Sequence, residues 1–233
     1  MTIRVERRGD IGLLTLDRPE RAHAYDRSVL EALASGLTEI EAQCTVVVVQ
    51  STGDRAFCGG ADLHEMRGAD PLDALDLYSQ RVFNTLARSP LISIAAVQGA
   101  AIAGGFELTL ACDIRVVGPS ARFELPETAL GLVPSAGGST RLTRLLGPSV
   151  AKQVILGGRS LSAEDALQLG LAIELHSDPR AAAWVLAEKI AARDPVAQRL
   201  AKGIVDGAED TESLQAERVA EALLYARKQA RED

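Results

Sequence analysis

The sequence predicts an α/β fold in which strands buried inside a sheet alternate with helices that cover it. Three observations predict it. "TVVVVQS" (45–51) is a short, β-branched apolar run, the mark of a strand covered on both faces. "LISIAAVQ" (91–98) repeats that signal. Each run is followed by a glycine-rich turn and then a helix signal, in "TVVVVQSTGDRAFCGGADLHEM" and "LISIAAVQGAAIAGGFELTLA". Such alternation favours an α/β sheet, where ligands sit beyond the carboxyl ends of strands.

The elements follow in order. Residues 2–8 and 11–16 read as two strands joined by "RGD", and "LLTLDRPE" leads into a loop. Asp26 caps a helix whose apolar positions Val29, Leu30, Leu33, Leu37 and Ile40 share one stripe. A helix is expected over 72–87, and short strands over 114–117 and 122–124. From 137 onward the chain turns mostly helical, and "LSAEDALQLG" has Ser162 as its cap and Gly170 as its stop. Trp184, in one of these helices, is expected to anchor the core. Helices over 195–205 and 211–231, past Pro195 and Gly207, form a C-terminal layer.

Composition narrows the function classes. The 233 residues are 47% hydrophobic and 24% charged, the balance of an ordinary soluble globular protein. Net charge is −7 and Lys and Arg are scattered, so neither nucleic acid nor an anionic membrane surface is an expected partner. The apolar stretch 91–106 is broken by Ser93, Gln98 and glycines and is too short to span a bilayer. "MTIRVERRGD" has no apolar segment after its basic residues, so no secretory signal is expected and the expected location is cytoplasmic. Cys44, Cys58 and Cys112, with His23, His64 and His176, lack metal-ligand spacing, and no metal site is expected. Cys58 lies beside glycines with no base nearby in sequence and reads as small-residue packing, not a nucleophile.

The chemistry-bearing pattern lies in the two turns. Each places backbone N–H groups at the beginning of a helix, where the macrodipole adds positive charge, yet neither fits a phosphate loop or a dinucleotide fingerprint. Two N–H groups converging on one oxygen form an oxyanion hole, and Ala61 and Gly104 are the candidate donors. The alternative is that Gly59, Gly60, Gly104 and Gly105 only permit tight helix–sheet packing. Glu107 falls in the first turn after Gly104 and should point toward whatever Gly104 binds. Glu127 follows Pro126 at the start of another helical segment. The two acids can converge only through folding, and dipole stabilisation alone would also favour Glu at either position.

"AFCGGADLHEM", "GAAIAGGFELTLACDIRVV", "ARFELPETALGLVPSAGGSTRLTRLLG" and "LSAEDALQLGLA" resemble, in order and spacing, the crotonase superfamily and in particular enoyl-CoA hydratases. "LDRPERAHAYD" is similar to that family's approach loop, and the resemblance covers about residues 3–225. It implies repeated ββα units in a spiral core over 1–190, with two roughly perpendicular sheets, and a helical trimerisation region over 191–233. A homotrimer or a dimer of trimers is implied.

The resemblance further implies that the amides of Ala61 and Gly104 hold the thioester oxygen of an acyl-CoA. Glu107 and Glu127 match the two catalytic glutamates, Glu107 mainly holding and activating water and Glu127 mainly handling the α-proton. Asp62, Leu63 and His64 would line the pantetheine and adenine passage, although Asp62 with Glu65 equally suits a capping pair. Arg21 matches a basic residue directed toward the CoA phosphates, with a solvated surface arginine as the alternative. The implied activity is reversible hydration of a trans-2-enoyl-CoA. No metal or redox cofactor is implied, coenzyme A being part of the substrate. Double-bond isomerisation and non-catalytic acyl-CoA binding are the alternatives.

Three departures qualify the resemblance. "RAHAYD" replaces a "KRNALN"-like stretch and brings His23 and Tyr25 near the expected CoA entrance. Phe106 is bulkier than many counterparts and is expected to narrow the site or press on its opposite wall. The chain ends at "YARKQARED", short of the segment that closes the acyl site in relatives, which predicts a wetter pocket and weaker binding or a bulkier acyl group.

Overall fold

The computed structural model describes residues 2–62 and 77–207, together with Val219, Glu221 and Leu223. Strands β1 (Ile3–Arg8) and β2 (Ile11–Leu16) pair antiparallel. Parallel strands β3 (Val46–Ser51), β5 (Ile92–Val97), β7 (Ile114–Val117) and β10 (Glu174–Leu175) extend them into one sheet, ordered β1-β2-β3-β5-β7-β10.

The valine run explains itself in this sheet. Val46 to Val49 are each 0% exposed, so both faces are covered. Val47 and Val49 pack with Leu14, Leu16 and Phe83 on one face. Val46 and Val48 pack with Ile11, Leu13 and Ile94 on the other, under helix α6 (Pro179–Ala191). Strand side chains alternate between faces, so only a continuously apolar strand suits a doubly covered sheet.

The glycine-rich turns do not leave this sheet. Each is preceded by a three-residue strand that the sequence reading did not separate: β4 (Ala56–Cys58) and β6 (Ala100–Ile102). With β8 (Arg122–Glu124) and β9 (Leu161–Ser162) they form a second sheet, ordered β4-β6-β8-β9. Strands β4, β6 and β8 run parallel, so their carboxyl ends lie side by side. At that edge Ile102 stands opposite Glu124.

Helix α1 (Arg27–Glu41) buries Val29, Leu30, Leu33, Leu37 and Ile40, and Asp26 Oδ1 accepts from the Val29 amide at 3.0 Å as its cap. Helix α2 (Tyr78–Arg88) lies mostly within the span expected for it, of which 72–76 is outside the described residues. Helix α3 (Gly104–Leu110) is buried along its whole length, and α4 (Gly138–Ile155) kinks at Gly147 and Pro148. The capping box of α5 (Ala163–Gln168) joins Ser162 and Asp165 reciprocally. Helix α7 (Pro195–Asp206) is fastened by Lys202, whose Nζ donates to the Leu91 carbonyl and to Asp113 Oδ2, each at 2.8 Å. Of the helix expected over 211–231, only Val219, Glu221 and Leu223 are described, all helical.

Two aromatic residues depart from expectation. Trp184 is only partly buried: its Nε1 donates to Glu188 Oε1 at 2.9 Å and Arg8 lies over its ring. Small residues Ala182, Ala183 and Ala187 fill the buried face of α6 instead, bringing the helix close to the sheet and leaving the indole at the rim. Phe106 is fully buried against Phe123, ring centroids 5.0 Å apart, and so belongs to the core. Among the described residues, no helix is long and apolar enough to cross a membrane.

Candidate active site

Three segments leave the adjacent ends of β4, β6 and β8: Gly59–Asp62, Ala103–Glu107 and Leu125–Glu127. Parallel strands place their carboxyl ends at one edge, and this edge carries Ala61, Gly104, Glu107 and Glu127 together.

Ala61 forms a parallel bridge with Tyr25. The Tyr25 amide donates to the Gly60 carbonyl at 2.9 Å and the Asp62 amide donates to the Tyr25 carbonyl at 2.8 Å. Those bonds use the neighbours of Ala61, so the N–H of Ala61 itself points away from Tyr25. Gly60 has a φ of 91°, and a Cβ there would lie 3.2 Å from the Gly104 nitrogen, so the first turn lies directly against the second. Gly104 opens α3, where an amide has no acceptor within the helix.

The bend before α3 is made by Ala103, with φ 52° and ψ −124°, held by its amide donating to the Glu124 carbonyl at 2.8 Å. A non-glycine residue in that region stores about 1–3 kcal/mol of strain. Gly104 and Gly105 do not make the bend, since both are helical. They are glycines for a different reason. A Cβ on Gly104 would overlap the Tyr25 hydroxyl, and one on Gly105 would overlap the Cys58 carbonyl.

Glu107 is 3% exposed and its Oε1 accepts from the Gly138 amide at 2.8 Å. The Ala136 amide also favours its ionised form. Burial pushes the Glu107 carboxyl up to about 7. The charge of Glu127 adds to that rise, while the two amides and Arg141 oppose it. Glu127 opens a 3-10 turn, Glu127–Leu130, and is 8% exposed. Burial raises its pKa as well, and among the described residues its Oε2 is buried with no hydrogen-bond partner. The charge of Glu127 therefore acts on Glu107 although the two acids lie far apart in sequence.

The remaining expected site residues sort differently. Asp62 Oδ2 accepts from Arg21 Nη1 at 2.7 Å, with Arg18 Nη2 at 3.8 Å, so Asp62 and Arg21 tie the approach loop to the Ala61 loop. Arg21 nonetheless keeps about half of its side chain exposed, at 52%. Leu63 and His64 lie outside the described residues. His23 is buried and is not an entrance residue. Its Nδ1 accepts from the Arg18 amide at 3.1 Å and its Nε2 donates to the Thr52 carbonyl at 2.9 Å. Cys58 is buried, its Sγ donates to the His23 carbonyl at 3.2 Å, and burial pushes its thiol up to about 12, which suits packing.

Sequence reasoning missed two contributors, Gly138 and Arg141, and placed a third, Tyr25, at the CoA entrance, where its burial against Gly104 does not put it. Gly138 lets Glu107 approach, and the doubled glycine 137–138 was its signal. Arg141 lies behind Glu107, donating to the Ala136 carbonyl at 3.0 Å and to Asn84 Oδ1, with nothing in its local sequence to mark it. Tyr25 reaches Gly104. Chemically, the edge offers two main-chain donors, one carboxyl poised near neutrality and a second carboxyl with an oxygen unused among the described residues.

Residues 6–233 match the enoyl-CoA hydratase/isomerase family. The short-chain-enoyl-CoA hydratase of Clostridium acetobutylicum is 33% identical over 208 residues, spanning 87% of this chain and 80% of that protein. The crystal structure of an enoyl-CoA hydratase from Bacillus anthracis superposes with a TM-score of 0.91 at 35% identity, covering 95% of this chain and 90% of that one. A Thermobifida fusca relative solved in complex with CoA is 30% identical with a TM-score of 0.90, covering 98% of this chain and 95% of that one. A match of this extent, on a fold whose parallel strand ends gather the same motifs, shows that this chain belongs to the enoyl-CoA hydratase/isomerase family.

Proposed function

We propose that this protein hydrates trans-2-enoyl-CoA thioesters reversibly, with Ala61 and Gly104 as the oxyanion donors and Glu107 and Glu127 as the acid–base pair. The observation that carries the proposal is the burial of both glutamates at one strand edge, Glu107 raised to about 7 and Glu127 holding a buried oxygen that has no partner among the described residues. Water is a poor nucleophile, and at a pKa near 7 a carboxylate is both ionised at working pH and basic enough to take its proton. The oxygen of water bonds to the β-carbon and the double-bond electrons move to the thioester oxygen. Two fixed N–H donors stabilise the enolate, each worth about 3–4 kcal/mol. The pair carries one proton between its two carboxyls: it gives that proton to the α-carbon, mainly through Glu127, and recovers it from the water that is deprotonated, mainly through Glu107, so both glutamates return to their starting states. No electron is gained or lost, and the reaction needs neither metal nor redox cofactor.

We further read the exposed apolar Leu130, Val133 and Leu156, at 64%, 67% and 69% exposure, as a subunit contact of a trimer, which light scattering would test. Function is tested by following the loss of enoyl-thioester absorbance across a panel of acyl-CoAs. Hydration of at least one substrate is expected, with a fall of about a hundredfold or more in Glu107→Gln and in Glu127→Gln. Full activity in both variants would remove the mechanism. Loss of hydration with retained double-bond migration in Glu107→Gln would reassign the enzyme as an isomerase, and tight binding without turnover would make it a binder.

A further inference from the structure

Tyr25 touches both arms of the candidate oxyanion site. Its main chain brackets Ala61, accepting from the Asp62 amide and donating to the Gly60 carbonyl. Its side chain reaches the other arm, where the hydroxyl rests against Gly104 so closely that a Cβ would overlap Oη and crowd two ring carbons. The side chain is held there: the residue is 7% exposed and meets Phe83 edge-on, ring centroids 5.7 Å apart. Ser79 hydrogen-bonds its hydroxyl.

Electrostatics also couple the hydroxyl to the acids. The charges of Glu107 and Glu127 both act on it, and Glu127 Oε2, without a partner among the described residues, lies buried at the same strand edge. Burial, then the Cys58 thiol and the two carboxylates, disfavour the phenolate, so the group keeps its proton. A neutral O–H fixed by packing requires no reorganisation when charge builds on a nearby oxygen, which is the condition for electrostatic stabilisation of a transition state.

We propose that the Tyr25 hydroxyl is a third hydrogen-bond donor to the thioester oxygen, beside the amides of Ala61 and Gly104. The proposal rests on the reading of those two amides as the oxyanion donors. An oxygen that accepts from both must touch the beginning of α3, where the Tyr25 hydroxyl rests on Gly104, while the Ala61 amide reaches it from the side turned away from the Tyr25 main chain. The bond strengthens as the carbonyl becomes an enolate, because hydrogen bonds to charged acceptors are shorter and stronger than neutral ones. It thereby favours the transition state over the bound substrate.

Tyr25→Phe keeps the ring and its contact with Phe83 and removes only the donor. Cinnamoyl-CoA supplies a readout that packing alone would not move, since its conjugated absorption shifts to the red as the carbonyl is polarised. The expected result for Tyr25→Phe is a kcat reduced roughly tenfold to a hundredfold, KM nearly unchanged, an unchanged circular dichroism spectrum and a smaller red shift. Tyr25→Leu, lacking the ring, is expected to show the same reduced shift and guards against a fold effect peculiar to one variant. Wild-type kcat and a full red shift in Tyr25→Phe would overturn the proposal and leave the two amides standing. So would a reduced kcat with an undiminished shift, which would place the hydroxyl's effect away from the carbonyl. A wild-type protein that neither hydrates any acyl-CoA nor shifts the bound spectrum would overturn the proposal and the reading beneath it together.

Discussion

The amide of Gly138, the first residue of α4, donates to Glu107 Oε1 across 2.8 Å, so the most buried acid of the site sits on the positive end of a helix. A helix terminus favours an anion by at most about 2 kcal/mol, equivalent to roughly 1.5 pKa units. Deep burial can oppose it by up to about 3–5 units. Burial wins here, and the Glu107 carboxyl rises to about 7.

A pH dependence follows from that balance. If ionised Glu107 receives the proton of water, kcat/KM rises with pH, reaches half its plateau near 7 and loses this limb in Glu107→Gln. Stability runs the other way. The folded state holds a proton that the unfolded state releases above its value of 4.5, so stability declines from about pH 4.5 to about 7 and is level above it. Rate profiles and melting curves over pH 4–9 check both, and a rate limb at the ordinary carboxylate value would contradict the assignment.

Gly138→Ala separates function from stability. A Cβ there would lie 2.8 Å from both Cγ and Oε1 of Glu107 and 3.1 Å from Pro134 Cβ. The nearest atoms belong to a side chain that can turn away, so the fold loses little while the carboxylate is displaced. Displacements on this scale cost up to about a hundredfold in rate. The variant is expected to melt close to wild type and to lose tenfold or more in kcat/KM, and a large drop in melting temperature with intact kcat would refute this.

Glu127→Gln should trade activity for stability. Its buried Oε2 has no partner among the described residues, and leaving an ionised oxygen so costs more than leaving a neutral amide. At pH 8 the variant is expected to be about 1 kcal/mol more stable by urea denaturation. An equally large loss of stability would mean that the carboxylate has a fold-supporting partner.

Ala103→Gly tests the strained bend. At φ 52° and ψ −124° glycine is relaxed and alanine is not, and the relief of about 1–3 kcal/mol exceeds the roughly 1 kcal/mol of added unfolded-state entropy. A higher melting temperature is expected, and a drop would show that the turn carries no strain.

Much of the framework was legible because its causes are local. The doubly covered β3 was readable from four consecutive valines, and α1 from its stripe and from Asp26. The Ser162–Asp165 capping box needs only neighbouring residues to form. The three-residue strands β4 and β6 were not readable, since so short a segment has no period to detect and exists only by pairing with its neighbours. Trp184 was readable only in part: it packs against the core cluster as its size suggested, but from the rim, since alanines fill most of the helix's buried face.

By itself the sequence determined the α/β class, the buried strands, the helix caps and the residue types at the two turns and the two acids, because periodicity and capping act over a few positions. Only the tertiary structure decided that three parallel strand ends would gather Ala61, Gly104, Glu107 and Glu127 at one edge. It also decided that Gly138 would hold Glu107 and that the Tyr25 hydroxyl would rest on Gly104. Burial, charge coupling and hydrogen-bond reach depend on separation in space, which chain packing sets and distance along the sequence does not.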